Sequence, residues 1–396
     1  MSDKKKYKIV ISGRDVIGTG GGTVAISTIR EFLNQGHEVV FVVDYSLPFF
    51  INGLKVVVTP MGGFLKKLTP KTKIGSRLKH FLQVLLFSIF GRIAVRKYEK
   101  QGFLSIDHNC EAFGGDIVVL HNVFIEMYKS DKRPFIKKIP QFFNPLFSYR
   151  LFRERIIFKS KRIKGVIAVS PQTLNEALPY LKYKEIKTSI LNGVDIDRFC
   201  PLGVTETDIS LKTNDQRVIL FVGHEFERKK LLPIIEALSL LPSNYLLWVI
   251  GGRFSNVDHY ISICKELNLI DRVKFLGTIS QPEKYFRSSD VFVLPSDYEA
   301  SPLVVLEAMA SGVPALVTPV GSAVEIIENG VNGYIVSATA ADIAEKIKSV
   351  FVSNDHYIEM KLAARKTAEH YSWQNIANKY LEVVDSVSKE NDLNGR

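Results

Sequence analysis

The sequence has 396 residues, 46% of them apolar and 23% charged, which is the composition of a globular chain with two or three domains. Cys110, Cys200 and Cys264 are too scattered for a disulfide framework and lack zinc-type spacing, so a reducing cytoplasm is expected. No charge-free apolar stretch reaches eighteen residues, and the N-terminus lacks the hydrophobic core of a signal peptide. Neither a membrane-spanning helix nor export is therefore expected.

The net charge of +11 is unevenly distributed along the chain. Residues 1–200 carry +17 and residues 201–396 carry −6, and the segment 51–100 has 11 basic residues against one acidic residue. This asymmetry predicts an anionic partner for the first half alone. Nucleic acid is not the expected partner, because no binding module of a known type accompanies the charge.

Two basic segments, 64–90 and 133–149, also carry aromatic and aliphatic bulk. That composition is typical of a surface that docks on anionic lipid. The alternative for the run 81–90 is a buried core helix. The prediction is peripheral contact with an anionic membrane, at the inner face of the plasma membrane.

Strand-like apolar runs alternate with helical patterns throughout, which indicates an α/β fold with mainly parallel sheets. In the first half the pattern predicts strand 8–12, helix 23–35, strand 38–43, strand 116–120, a helix over about 142–161 and strand 165–169. In the second half it predicts strands 217–222, 246–250, 273–276, 291–294 and 315–317, interleaved with helices 231–241, 257–267, 282–288 and 302–310, and a helix starting within 339–348. Two Rossmann-like domains facing across a cleft are therefore predicted, joined within the polar segment 192–215, with ligands at the carboxyl ends of the strands.

Four loops that follow predicted strands carry the candidate chemistry. The first contains Gly20 and Gly21 and opens a helix, where close backbone approach and the helix N-terminus favour an anion. Two alternatives stand for this loop: a nicotinamide site, whose glycine spacing it matches poorly, and a turn that needs glycine only for its geometry.

The second and third loops supply basic residues and glycines. Arg228 and Lys229 lie where a loop becomes a helix, which suits neutralisation of a diphosphate; the alternative is a solvated basic surface. Gly223, Gly251 and Gly277 lie at three strand ends and can border a base or ribose; the alternative is that they are ordinary strand ends.

The fourth loop places Glu299 and Glu307 on either side of a helix start. Pro302 is predicted near the first helical position, with Ser301 or Ala300 as the cap. The unpaired N–H groups of the first turn then favour an anion, and Glu307 is expected to point into the same crevice.

Together these motifs resemble the retaining glycosyltransferases of family 4, which have the GT-B fold. The resemblance covers nearly the whole chain and is strongest over about residues 217–340. The two glutamates match the E-x7-E signature of the family, and Arg228-Lys229 matches its Arg-Lys pair. Asn192-Gly193-Val194-Asp195 is similar to the interdomain turn, and Tyr371-Ser372-Trp373 to the motif before a returning C-terminal helix.

Two further likenesses narrow the subgroup. Gly20-Gly21 resembles the N-terminal glycine loop of the family, and the segment 221–230 is similar to that of lipopolysaccharide core glucosyltransferases. The chain departs from the family at Lys230, where glycine is usual, a change expected to stiffen or recharge the loop. The resemblance implies an acceptor-binding domain over 1–195, a linker over 196–216, a donor-binding domain over 217–373 and a C-terminal helix over 374–396 that returns to the first domain.

The resemblance also implies roles for the donor-site residues. Glu307 would bind the ribose hydroxyls of the donor, and Arg228 and Lys229 would hold its diphosphate. Glu299 would be a catalytic residue, beside the hydroxyls of the transferred sugar at the reacting face. The backbone amides that would cap the phosphate belong to Ala300, Ser301, Pro302 and Leu303. No metal or other cofactor is expected, because basic groups and the helix end replace a metal; the alternative, a metal role for Asp195 and Asp197, is disfavoured.

The catalytic group on the acceptor side has three candidates, Asp116, His108 and His121. Asp116 aligns best with the core-glucosyltransferase subgroup, whereas His108 fits the wider family pattern. A structural, hydrogen-bonded histidine is the alternative for each imidazole.

The sequence thus predicts a cytoplasmic, metal-independent retaining glycosyltransferase that moves a sugar from a nucleotide-diphosphate sugar, expected to be a UDP-sugar. The expected acceptor is a cell-surface glycan, lipopolysaccharide or lipid-linked molecule. The alternatives are a catalytically silent nucleotide-sugar-binding protein, a nucleotide-sugar epimerase and a basic scaffold that binds anionic polymers.

Overall fold

The structure is a computed structural model that describes residues 5–14, 18–60, 62–70, 72–130, 144–182, 186–201, 213, 215–253 and 255–393. The chain forms two compact units. The first unit contains Met1–Leu191 together with Trp373–Arg396, and the second contains Asn192–Ser372. The C-terminal segment thus belongs to the first unit, while the Asn192-Gly193-Val194-Asp195 turn belongs to the second.

The first unit is built on a parallel sheet flanked by helices. Its seven described strands are β1 Lys8–Ser12, β2 Glu38–Val43, β3 Lys55–Val58, β4 Leu104–His108, β5 Ile117–Leu120, β6 Gly165–Ala168 and β7 Ile186–Ser189. Its described helices are α1 Gly20–Asn34, α2 Gly62–Lys67, α3 Lys73–Glu99, α4 Phe124–Ser130, α5 Pro145–Lys159, α6 Pro171–Ala177 and, near the C-terminus, α14 Trp373–Leu393. A 3₁₀ turn covers Leu178–Tyr180.

The second unit repeats this plan. Its described strands are β8 Arg217–Gly223, β9 Tyr245–Gly251, β10 Val273–Gly277, β11 Val291–Leu294, β12 Ala315–Val317 and β13 Gly333–Ile335. Its described helices are α7 Leu231–Leu238, α8 Val257–Glu266, α9 Glu283–Ser288, α10 Leu303–Ala310, α11 Ala323–Ile326, α12 Ala340–Val350 and α13 Asn354–His370, with a 3₁₀ turn at Ile270–Arg272.

Both sheets have the strand order of a Rossmann fold. The orders are β3-β2-β1-β4-β5-β6-β7 and β10-β9-β8-β11-β12-β13, and the neighbouring strands are parallel. The order reverses between β1 and β4 in the first unit and between β8 and β11 in the second. Ligands of such sheets bind outside the carboxyl ends of the strands at this reversal, so the loops after these four strands are the places to examine.

The nine strands predicted from the sequence are confirmed, with ends within one residue of those observed. They are the most apolar runs; Ile9, Val10 and Ile11 of β1, for example, are fully buried between helices. Four observed strands were missed, β3, β4, β7 and β13, because they are short or interrupted by polar residues. Residues 133–143 of the predicted second basic segment, and most of the predicted linker, lie outside the described residues.

Helix α3 modifies the expectation that no helix could span a membrane. The portion Ile74–Glu99 is long and apolar enough to do so by length and composition, with a mean hydropathy of 1.5 in its most apolar window. Two charges within that window explain why a search for charge-free stretches missed it. Only 28% of the window is buried, and Val84 and Phe87 provide part of the buried face.

Candidate functional site

In the second unit, backbone and side-chain contacts join the loop after β8 to the loop after β11. The Asp297 N–H donates to the Arg228 carbonyl oxygen at 2.9 Å, and the Arg228 guanidinium donates to the Tyr298 carbonyl oxygen. The Lys230 ammonium pairs with the Asp297 carboxylate at 2.8 Å. These contacts hold both loops at the strand-order reversal, where the fold places ligand sites.

A charged cluster lies at the centre of this junction. Lys229 Nζ and Arg228 Nη1 lie 2.6 Å and 3.2 Å from Glu299 Oε1, and Ser296 Oγ donates to the same oxygen at 3.1 Å. The Lys229 and Glu299 side chains are only 12% and 13% exposed. Burial alone would raise the pKa of Glu299, but the charges of Lys229 and Arg228 outweigh it and lower that pKa. The structure therefore brings together two predicted donor-binding residues, Arg228 and Lys229, and the predicted catalytic residue Glu299.

The glycines at the ends of β8 and β9 permit this packing. A Cβ on Gly223 would lie 2.2 Å from Lys229 Cδ, so Gly223 makes room for the lysine stem. Gly251 has φ +116°, and a Cβ there would lie 1.9 Å from the Gly223 carbonyl oxygen. Gly277 has φ +67° with open space beside it. The predicted contact of these glycines with a base or ribose stays a prediction.

The start of α10 differs from the predicted cap. Pro302 itself is the N-cap residue, and no side chain accepts a hydrogen bond from the first turn. Ser301 Oγ instead accepts from the Asn192 N–H at 3.3 Å and from Ser322 Oγ at 3.1 Å. The cap prediction, Ser301 or Ala300, was wrong because these contacts hold Ser301 one residue too far from the helix. The α10 N-terminus consequently has no side-chain cap, as an anion site requires.

Glu307 lies further along α10 and has a different environment from Glu299. Burial raises the pKa of Glu307 to about 7, the charge of Arg198 opposes this rise, and the charge of Glu283 adds to it. Arg198 itself pairs with Glu283. The two glutamates of the signature therefore differ in protonation near neutral pH: Glu299 is ionised, and Glu307 titrates.

In the first unit, two histidines meet at the carboxyl edge of the sheet. His108 ends β4 and His121 follows β5, and His108 Nδ1 lies 3.0 Å from His121 Nε2 with the rings stacked at 5.3 Å. Burial lowers the pKa of both, to about 4 for His121. A Cβ on Gly21 would lie 3.6 Å from His121 Nε2, so the glycine loop at the start of α1 lies against the pair. Gly20 is the first residue of that helix.

Asp107 was missed by sequence reasoning and organises this edge. Its carboxylate accepts from Ser12 Oγ at 2.8 Å and from the N–H groups of Ala112 and Gly114 at 3.0 Å and 2.7 Å. The loop it holds contains three non-glycine residues with positive φ, namely Asn109, Cys110 and Phe113. The signal available in the sequence was the polar tripeptide Asp107-His108-Asn109, whose first two residues end the unrecognised strand β4.

Asp116 lies at the amino ends of the strands, whereas the histidine pair lies at their carboxyl ends. It precedes β5, whereas His121 follows it, and its carboxylate accepts from the Ser105 N–H at 2.9 Å and from Ser105 Oγ at 2.8 Å. The structure thus brings His108, His121 and Gly21 together and separates Asp116 from them. The position of Asp116 favours a role in joining β4 to β5.

Two motifs that flank the unit boundary contact each other inside the second unit. The Val194 N–H donates to the Tyr371 carbonyl oxygen at 2.9 Å, and Asn192 Nδ2 donates to the Ser301 carbonyl oxygen at 2.8 Å. Asp195 Oδ1 accepts from the Arg198 N–H at 2.9 Å, which closes a turn. The part of the chain that the structure describes contains no group of three or more potential metal ligands.

The comparisons with known proteins agree with this architecture. Residues 205–367 match the family model described as glycosyl transferases group 1. The chain is 26% identical over 235 residues to an Escherichia coli UDP-Gal:α-D-GlcNAc-diphosphoundecaprenol α-1,3-galactosyltransferase, and this match covers 57% of each protein. The chain covers 59% of a Methanocaldococcus jannaschii relative that is 30% identical. It therefore spans somewhat more than half the length of these curated relatives.

Two solved structures are similar over almost the whole chain. One is WaaG, a glycosyltransferase involved in lipopolysaccharide biosynthesis, with a TM-score of 0.72, 16% identity, and 95% and 99% of the two chains covered. The other is Anabaena HepE in complex with UDP and glucose, with a TM-score of 0.68, 18% identity, and 96% and 100% covered. At this identity the likeness shows the fold, which is GT-B with two Rossmann-like domains. The chain thus has the GT-B fold, and residues 205–367, most of its second unit, carry the group 1 match.

Proposed function

We propose that this chain transfers a sugar from a UDP-sugar to a cell-surface glycan or lipid-linked acceptor, with retention of configuration and without a metal ion. The observation that carries the proposal is the Arg228–Lys229–Glu299 cluster. Two cations converge within 3.2 Å of one carboxylate oxygen, at the strand-order reversal of a Rossmann sheet. Two partly buried cations at that position suit a diphosphate.

The donor site is proposed to lie in the second unit. Arg228 and Lys229 hold the diphosphate, together with the first-turn N–H groups of α10 around Ser301, Pro302 and Leu303. Glu307 accepts hydrogen bonds from the ribose hydroxyls. The choice of UDP is supported by a structural neighbour that binds UDP and glucose, and by a relative named for a UDP-galactose donor.

In the transfer step, the bond between the anomeric carbon and the diphosphate oxygen breaks as the acceptor oxygen bonds to that carbon. The departing diphosphate carries the electron pair, and Arg228 and Lys229 stabilise its charge. The proton of the acceptor hydroxyl is taken up by the leaving diphosphate or by solvent. Since two fixed cations and a helix N-terminus already oppose the developing charge, a bound metal is unnecessary.

The acceptor is proposed to bind in the first unit, beside the His108–His121 pair and Gly21. Both rings are neutral near pH 7 because burial lowers their pKa values, so they position hydroxyl groups by hydrogen bonding rather than by charge. A lipid-linked acceptor is supported by the relative named for a diphosphoundecaprenol substrate.

A lipid-linked acceptor also requires access to a membrane, and α3 provides a surface for it. Ile74 and Leu78 are 78% and 56% exposed beside the basic residues Arg77 and Lys79, and Phe64 of α2 is 59% exposed. We propose peripheral docking on anionic lipid through this surface, at the cytoplasmic side of the plasma membrane.

Flotation with vesicles tests the docking proposal. The protein is expected to float with phosphatidylglycerol vesicles and to remain behind with phosphatidylcholine, and Ile74→Glu is expected to reduce flotation. Val352→Glu is the matched control, because Val352 is 74% exposed in the second unit. Equal flotation of both variants would contradict the docking surface.

The enzymatic proposal is tested by donor hydrolysis and sugar transfer with Arg228→Ala and Glu307→Ala. Both activities are expected to fall at least a hundredfold, whereas Lys265→Ala, at an exposed lysine of the same unit, retains them. Survival of both activities in both variants would rule the enzymatic reading out. Binding without turnover in the native chain would indicate a silent nucleotide-sugar-binding protein, and a new nucleotide sugar without acceptor would indicate an epimerase.

Three further measurements test the identity of the nucleotide, the anomeric configuration of the product and the independence from metal. A thermal-shift series with UDP-, GDP- and dTDP-sugars identifies the nucleotide, since only a bound donor stabilises the fold. NMR of the product reports whether the anomeric configuration is retained. Full activity in EDTA is the expected result for a metal-independent enzyme, and its loss, restored by Mg²⁺, would contradict that part of the proposal.

A further inference from the structure

A cavity of about 290 Å³ opens at the carboxyl edge of the first unit's sheet, where the strand order reverses between β1 and β4. Gly21 and Gly22, at the start of α1, form one wall, and His108 forms another. Met127 of α4 lies at its border and is 41% exposed. Its volume is close to the lower end of the range for small-molecule sites.

Among the residues that the structure describes, three guanidinium groups and one carboxylate line this cavity. The arginines are Arg14, Arg150 and Arg153, and the carboxylate is Glu111. Arg14 and Arg153 are 4% and 2% exposed, which is uncommon for arginine unless it serves a partner or a ligand. Two further carboxylates lie near these residues without lining the cavity: Asp107 accepts hydrogen bonds from Ser12 and two backbone N–H groups, and Glu154 accepts from the N–H groups of Phe124 and Ile125.

Hydrogen bonds and a ring contact, in addition to the charge of Glu111, hold these arginines in place. Arg153 Nη1 donates to Ser88 Oγ at 2.8 Å and to the Glu111 carbonyl oxygen at 3.4 Å, while its buried Nε has no hydrogen-bond partner. Arg14 Nε lies 3.9 Å from Glu111 Oε1. The Arg150 guanidinium lies over the Phe124 ring at 5.3 Å. Guanidinium groups held in this way suit a planar carboxylate or a tetrahedral phosphate.

We propose that this cavity binds an anionic group of the acceptor sugar, a phosphate or a carboxylate. The inference rests on the proposed function, since it assigns an acceptor to the first unit, and it adds a substrate class: acceptors that carry a negative charge close to the accepting hydroxyl. His108 borders the same cavity, so one sugar residue contacts both the imidazole and the guanidinium groups. Neutral acceptor sugars are poor substrates.

Direct binding to the full-length protein tests this inference. Glucose 6-phosphate, glucuronate and glucose are titrated by calorimetry, the first two as phosphate and carboxylate probes and the third as the neutral reference. At least one anionic probe is expected to bind ten or more times tighter than glucose. The tighter of the two identifies the anion. Equal binding of all three probes, or none at tenfold higher concentrations, would overturn the inference.

Variants locate the binding site. Arg150→Gln is expected to weaken the anionic probe at least tenfold, and Met127→Glu, which adds a negative charge at the border without removing a buried group, is expected to do the same. Arg155→Gln is the matched control, because Arg155 is an exposed arginine of the same helix α5 that does not line the cavity. Unchanged binding in Arg150→Gln and Met127→Glu would place the anion elsewhere and contradict the assignment.

The same samples separate this inference from the proposed donor function. UDP-glucose binding reports on the second unit and is expected to be unchanged in the two cavity variants. If UDP-glucose binds but no anionic probe does, the cavity assignment fails and the donor assignment stands. If anionic probes bind but UDP-glucose does not, the donor assignment fails while the anion cavity remains.

Discussion

The two units share a strand order but place different groups at the same topological position: an ion-paired cluster in the second unit, and a neutral histidine pair beside buried arginines in the first. In the second unit, the reversal point holds an ion-paired cluster of Arg228, Lys229 and Glu299. In the first unit, it holds the uncharged His108–His121 pair. The strand order of the fold therefore sets where ligands bind, whereas a few loop residues determine which ligand binds there.

The difference in charge follows from whether the buried ionisable group has an oppositely charged neighbour. The cations lower the pKa of Glu299 although burial opposes them, so the second unit keeps charge in its crevice. Burial lowers the pKa of both histidines, and the charge of His121 lowers that of His108 further, so the first unit keeps the pair neutral. The basic groups of the anion cavity lie beside this pair rather than within it.

Removing one cation of the second unit's cluster should have the largest effect on donor binding and stability. Lys229→Gln is expected to weaken UDP-glucose binding about a hundredfold and to lower the free energy of unfolding by about 3 kcal/mol, because it leaves Glu299 buried with one cation fewer. Calorimetry and urea unfolding measure the two effects. Lys265→Gln, at an exposed lysine of the same unit, should change neither. A fully stable, fully binding Lys229→Gln would show that the cluster is a surface ion pair only.

The pH dependence of Glu307 should be nearly as large. Its raised pKa means that the folded state binds the proton more tightly, so the stabilisation is complete below about pH 4.5 and is lost as the pH rises to about 7. Relative to Glu307→Gln, the native chain is expected to lose about 3 kcal/mol of unfolding free energy between pH 4.5 and pH 8. Urea unfolding across this range measures the loss. Glu236→Gln, at an exposed glutamate, should run parallel to the native chain at every pH.

The histidine pair should affect transfer without affecting the donor. His108→Gln and His121→Gln are each expected to slow transfer about tenfold, since one hydrogen bond to the acceptor or its partner ring is lost, while UDP-glucose binding is unchanged. Transfer rates and calorimetry on the same preparations give both numbers, with His356→Gln as the control. Weakened donor binding in either variant would contradict the division of roles between the units.

The smallest expected effect concerns Lys230, where the family usually has glycine. Lys230 has φ +56°, a left-handed conformation that glycine adopts without strain. Lys230→Gly is therefore expected to be about 1 kcal/mol more stable than Lys230→Ala, by thermal or urea unfolding. At Lys284, inside helix α9, the order should reverse, because alanine favours a helix over glycine. The same order at both positions would exclude backbone strain as the cause.

Sequence reasoning succeeded where long apolar runs or charge patterns decide the structure. The strand alternation predicted two Rossmann-like domains, and the loop between β8 and α7 was recognised as basic before its contacts were known. Arg228, Lys229 and Glu299 were grouped correctly because they lie in loops after strands of one sheet.

The errors arise from features that depend on tertiary contacts. Because β4 was not predicted, the sequence did not show that His108 lies at the carboxyl ends of the strands and Asp116 at their amino ends. The cap of α10 shifted to Pro302 because Asn192 and Ser322 engage Ser301 from distant parts of the chain. The buried Arg14 and Arg153 gave no local signal, since their burial depends on packing between segments that are far apart in the chain.

Calorimetric titration of UDP-glucose into the native chain, Lys229→Gln and Lys265→Gln tests the central claim most directly. The account predicts that the native chain and Lys265→Gln bind with the same affinity and that Lys229→Gln binds about a hundred times more weakly. Equal affinity in all three proteins, or no binding to the native chain, would contradict the assignment of the second unit as the donor site.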